Sequence, residues 1–169
     1  KIHVLSLSFL VDKLTKQEGG VAGNICYNLA LLGEEPILFV AAGLDAKNYV
    51  ERLSDLGINT SNILVDKEES TSSFFVTTDL SDNQISAFYQ GAMARADNMS
   101  LLSLNLGRED LVLIGANKPS AMVRFVRECV EENINYIYDP AQQIPRLGKE
   151  DLIYGIENAK ILIGNDYEI

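Results

Sequence analysis

The sequence predicts an α/β fold, a three-layer sandwich on a mostly parallel sheet with a small β lid. Three observations carry that expectation. Short apolar runs alternate with stretches of helical spacing, the pattern of βαβ units and a parallel sheet. The run at 37–42 is continuously apolar, as in a strand buried on both faces. Strand-like segments at 72–78 and 84–89 flank the polar turn Asp79-Leu80-Ser81-Asp82-Asn83, which reads as a hairpin.

Taken in order, the chain begins with a strand-like segment over 1–13, where Leu5, Leu7, Phe9 and Val11 alternate with polar residues. His3 stands there without partners at ligand spacing, so it reads as a strand-surface residue. A glycine pair follows in Glu18-Gly19-Gly20-Val21-Ala22-Gly23-Asn24 and leads into a helix over about 25–33. Ile25, Leu29 and Leu32 share one face of that helix, with Cys26 and Ala30 beside it and Gly33 placed as the terminating residue. After the 37–42 strand, Asp45 is placed as the N-cap of a helix over about 46–56. Tyr49, Val50, Leu53 and Leu56 give that helix its apolar face, and Gly57 ends it. A strand at 63–65 and the hairpin come next. The remainder alternates a strand at 111–114, a helix at 120–132, a strand at 136–138, a short helix at about 149–156 and a strand at 161–163. Met122, Val123, Phe125, Val126, Cys129 and Val130 form the inward face of the longest helix.

Length and composition narrow the function classes. A chain of 169 residues with 47% hydrophobic and 22% charged residues suits one globular domain with a real core. A net charge of −10 argues against a nucleic-acid polymer as partner, because phosphate neutralisation needs clustered Lys and Arg. Cys26 and Cys129 lie far apart among apolar residues and read as buried, reduced thiols. No apolar run approaches a membrane span, and the N-terminus shows no basic, then apolar leader pattern, so a cytoplasmic protein is expected.

In parallel sheets, ligands sit beyond the carboxyl ends of the strands. That rule selects Gly43–Asp45, Gly115-Ala116-Asn117, Asp139-Pro140 and the segment from Gly164 to Glu168. A glycine pair before a helix N-terminus lets a ligand approach free N–H groups, and Asn24 adds a donor and an acceptor. A loop before a buried helix explains the same residues. Asn117 reads as a ligand contact or as a loop-shaping residue, and Asp139 as a cation or hydroxyl contact or a turn starter. Asn165 and Glu168, three apart, offer an amide and a hard carboxylate suited to magnesium, or simply cap a following helix. No Walker, dinucleotide-binding or serine-nucleophile motif is present, nor Cys/His spacing for a metal.

These pieces together resemble the ribokinase-like (PfkB) carbohydrate and nucleoside kinases. Gly19-Gly20-Val21-Ala22-Gly23-Asn24 with Asn28-Leu29-Ala30-Leu31-Leu32-Gly33 is similar to the family's first signature, and Gly43-Leu44-Asp45 to its G-x-D. Asn165-Asp166-Tyr167-Glu168 resembles its N-x-x-E. The segments from Phe88 to Met93 and from Tyr138 to Gln143 look most like the adenosine/nucleoside-kinase branch. The resemblance implies ATP- and Mg2+-dependent phosphoryl transfer to a hydroxyl of a sugar or nucleoside. It implies substrate contacts at Gly19, Gly20, Asn24 and Gln90, phosphate contact at Asn165 and a magnesium role for Glu168. Gly19 and Gly20 would be the hinge of a lid formed by about 1–18 and about 72–90, and family lids often pair as homodimers. The family's D-T-x-G-A-G-D motif, with its catalytic Asp, and its first-strand G-S-x-x-x-D have no counterpart between Lys1 and Ile169. The expectation is therefore the acceptor-side part of a kinase, inactive alone. The alternative is a non-catalytic sugar- or nucleoside-binding module.

Overall fold

A computed structural model describes residues 8–168. Leu5, Leu7 and His3, in the first half of the expected opening strand, lie outside the described residues. Its second half forms no strand: residues 8–13 run as exposed chain, with Phe9 and Val11 in solvent.

Helix α1 spans Val21–Leu31, strand β1 Ala41–Gly43 and helix α2 Lys47–Asp55. Strand β2 covers Leu64–Asp66 and pairs parallel with β1. Strands β3, Ser73–Thr78, and β4, Gln84–Tyr89, form the expected antiparallel hairpin. Strand β5, Leu111–Ile114, is followed by helix α3, Pro119–Glu131, and strand β6, Asn135–Tyr138. Helix α4, Lys149–Asn158, leads to strand β7, Ile161–Leu162, and β5-β6-β7 form a parallel sheet in that order. The expected α/β architecture of parallel strands, packed helices and a small β lid is the one observed.

Local chemistry explains most boundaries. Pro119 at the first turn of α3 gives up an N–H that has no intrahelical partner there. Helices α1, α2 and α3 all end in the same crossed pair of hydrogen bonds. Glu34 N donates to Leu29 O, Ile58 N to Leu53 O and Ile134 N to Cys129 O, around Gly33, Gly57 and Asn133 at positive φ. Gly57 and Gly33 thus terminate their helices as the sequence predicts.

Two of the expected faces are corrected. Helix α1 starts four residues before the expected 25, and its buried stripe is Gly23 and Cys26, flanked by Ala22 and Ala30. Leu29 and Leu32 are exposed, because the helix packs on its small residues rather than on its leucines. In α2, Leu53 is fully buried while Leu56 is not. The 37–42 strand is also shorter than expected. Only Ala41–Gly43 is a strand, and Ile37 makes an isolated bridge to Asn59.

Two clusters make the core. Met122, Phe125, Val126 and Cys129 of α3 pack on Ile114, Tyr136 and Tyr138 with Met99 and Leu101. Cys26, Leu38, Leu53 and Ile58 form the second. Phe39 bridges toward the first, its ring 5.8 Å from that of Phe125. Both thiols are buried and free, and burial pushes Cys129 up to about 12. No described helix is long and apolar enough to cross a membrane.

Candidate functional site

Parallel strands turn one edge toward the loops that follow them, and the chain concentrates polar groups there. Asp139 N donates to Ile114 O at 2.9 Å and Ile163 N to Tyr138 O at 2.9 Å, so the ends of β5, β6 and β7 stay in step. Gly115, just past β5, lies against the start of α1: a Cβ on it would be 3.3 Å from Val21 Cγ1. The glycine pair and the α1 N-terminus therefore meet the carboxyl rim of the sheet.

Gly20 takes φ 98° and ψ 144°, a region costly for any residue with a side chain. It precedes α1 with no side-chain cap, so the first N–H groups of the helix remain available to a ligand. Asn24 N is satisfied by Gly20 O at 2.9 Å, and its side chain lies beside Gly19. That side chain also lines a groove of about 430 Å³ between α1 and α2, together with Glu18, Tyr27, Tyr49 and Arg52.

At the other end of the rim, Asn165 Oδ1 accepts from Tyr167 N at 2.9 Å and Glu168 Oε2 from Asn165 N at 3.1 Å. With Glu168 N donating to Asn165 O at 3.0 Å, these bonds close a turn over Asn165–Glu168, and no helix is described after it. The turn leaves the remaining lone pairs of the two side chains free for other partners. Asp139 is held above the usual carboxylate range by burial and by the negative charge of Glu168, partly offset by the Ala141 N–H. Among the described residues no group of three or more Asp, Glu, His or Cys gathers. Magnesium takes only one or two protein carboxylates beside phosphate and water, so the donor set fits it.

The structure assigns Asp45 a role the sequence reading missed. Asp45 does not cap a helix: it sits inside the 3-10 turn Leu44–Ala46, with no side-chain cap bond. Its Oδ1 accepts instead from Thr71 N and Thr71 Oγ1, both at 2.8 Å, and Gly43 N donates to Thr71 Oγ1 at 2.9 Å. Desolvation raises the Asp45 carboxyl, but the Thr71 donors, its own backbone N–H and the charge of Lys16 outweigh it and leave the group below its ordinary value. Gly43 is required by the same packing, since a Cβ there would collide with Glu69 O and reach within 2.7 Å of Thr71 N. Gln90, half-buried, ends the hairpin and opens the 3-10 segment Gly91–Asn98. Sequence spacing could not link Asp45 to Thr71, which lie 26 residues apart.

The pfkB family carbohydrate kinase model matches residues 4–169. The chain belongs to that family. A nucleoside kinase from Methanocaldococcus jannaschii is 29% identical over 163 residues, covering 95% of this chain and 53% of that protein. The Burkholderia thailandensis nucleoside kinase, solved with inosine, superposes with a TM-score of 0.87 at 33% identity, covering 96% of this chain and 54% of that one. Its complex described as ADP-inosine gives 0.83 at 32% identity, over 99% and 52%. This pfkB-family chain thus spans about half the length of the relatives it matches.

Proposed function

We propose that the full-length protein transfers the γ-phosphoryl group of ATP to a hydroxyl of a nucleoside, and that this chain supplies the acceptor side. The observation that supports this reading most is the delivery of the uncapped α1 N-terminus, with Gly19, Gly20 and Asn24, to the carboxyl rim beside Gly115. There the backbone N–H groups and the Asn24 amide suit sugar hydroxyls. Gln90 is the second acceptor contact, placed at the base of the lid. The relatives, which are nucleoside kinases, favour a nucleoside over a free sugar.

Asn165 would meet the nucleotide phosphates, and Glu168 with Asp139 would hold Mg2+. The metal supplies charge neutralisation for the transferring group. The chain's own residues bind, orient and exclude water, since closure of a lid keeps ATP from reacting with solvent. The exposed aromatic residues of the hairpin, Phe74, Phe75 and Phe88, also suit pairing of two lids into a homodimer.

The test is a panel of nucleosides, inosine among them, and free sugars, each with ATP and Mg2+ and the full-length protein. Turnover of nucleosides is expected. Sugar turnover with inert nucleosides would reject the nucleoside assignment. Tight nucleoside binding without turnover would favour the non-catalytic binding module. The 169-residue chain alone is expected to show no acceptor-dependent ATP turnover, having no D-T-x-G-A-G-D segment.

A further inference from the structure

We propose that Asp45 is a positioning residue for the phosphoryl acceptor, fixing the root of the β3–β4 hairpin, and with it Gln90, against strand β1. The proposal rests on the functional reading above and adds to it a residue that acts through Thr71.

The segment between β2 and β3 is fastened residue by residue. Asp66 Oδ1 accepts from Glu68 N at 2.8 Å and Glu69 N at 2.9 Å, and Asp66 Oδ2 takes Arg95 Nε at 2.9 Å. Glu69 Oε2 accepts from Tyr89 Oη at 2.7 Å, and Ser70 O from Ala92 N at 2.9 Å. Thr71 then bridges Asp45 and Gly43. Gln90 therefore lies between two tethered neighbours, Tyr89 and the Gly91–Ala92 pair. Asp45 is the point at which this assembly meets the loop leaving β1. Loss of its carboxylate removes two of the three bonds on Thr71, leaving only that from Gly43 N, and Thr71 is two residues from the first residue of the hairpin.

A polar bond that only stabilised the fold would weaken every ligand step alike. A bond that sets the hairpin root changes the acceptor site and leaves the phosphate end of the rim intact. That separation is measurable as a split between the two Michaelis constants.

The experiment measures KM for the nucleoside and for ATP, with melting curves, in full-length protein carrying Asp45→Ala, Asp45→Asn or Thr71→Val. Asn keeps an oxygen that accepts from Thr71. Asp45→Ala and Thr71→Val are expected to raise the nucleoside KM about tenfold, with ATP KM changed less than about twofold. Asp45→Asn is expected to recover most of the loss. An unchanged nucleoside KM in Asp45→Ala, an equal rise in both constants, or no recovery in Asp45→Asn would each overturn the assignment alone. A wild-type protein inert on every acceptor would overturn the functional reading and this assignment together.

Discussion

Two stretches border or belong to the segments expected to form a lid, and they are held in different ways. Between Asp66 and Thr71 nearly every residue is bonded to a partner distant in sequence, on β1, on β4 or on the 3-10 segment after it. Residues 8–18 form neither helix nor strand, are exposed throughout, and show one ion pair among the described residues, Glu18 with Arg52. The second stretch ends in Gly19 and Gly20, and among the described residues, chain neighbours aside, no atom lies within 4 Å of a Cβ built on Gly20. In the proposed lid, movement would be taken up on the leg that is not fastened. The hinge role proposed for the glycine pair is therefore best tested against the fastened leg.

The largest effect is expected where packing is tightest. Gly91 has φ 48°, and a Cβ on it would collide with Ser70 O and lie 2.8 Å from Tyr89 Cε1. Gly91→Ala combines positive-φ strain with a backbone clash and is expected to cost about 3 kcal/mol in denaturant unfolding. A loss under about 1 kcal/mol would show that the root yields easily, and the contrast between the two legs would collapse.

Gly20→Val probes the opposite leg. No described atom beyond its chain neighbours lies within 4 Å of the new Cβ, so the main expected cost is in the backbone, about 1–3 kcal/mol for a residue forced into that region. The chain can relieve that strain by moving the free leg, which alters the lid more than the core. The expected result in the full-length protein is a fall of about tenfold in kcat/KM for the nucleoside with a smaller loss of stability. Unchanged kcat and KM would remove the hinge assignment.

Much of this contrast was legible in the sequence, and the rest was hidden for identifiable reasons. Gly33 and Gly57 act locally, so their places at helix ends could be read from neighbours in the chain. The hairpin was legible because alternation and a polar tip are also local, and Asp79 satisfies that tip by accepting from Ser81 N and Asn83 N. The 3-10 segments Gly91–Asn98, Leu101–Leu104 and Ala141–Arg146 were missed, because a few i→i+3 turns leave no sustained period. Asp45 was read as a cap because an acidic residue before a helix has that use, whereas its partner Thr71 is brought in by tertiary packing. At the rim, the order of Asp139 and Glu168 after successive strands was readable, but not that they share one field. Phe9 and Val11 alternate like strand residues yet pair with nothing described, since alternation specifies a face and not a partner.

The smallest effect separates a contact from a tether. Arg52 meets Glu18 in an ion pair, and its guanidinium also lies 5.8 Å from the centre of the Tyr49 ring. Both charged side chains are substantially exposed, at 64% and 37%, so water competes for the pair and salt screens it. Arg52→Ala is expected to change unfolding free energy by less than about 1 kcal/mol, because exposed pairs rarely contribute more. Glu18 immediately precedes the glycine pair, so the same substitution releases the only ion pair described on the free leg. Amide exchange at residues 14–20 is therefore expected to quicken in Arg52→Ala, while exchange at 66–72 stays as in the wild type. Equal acceleration in both stretches would mean the two legs move as one. In that case the hinge lies elsewhere, and the fastened root is part of the moving lid.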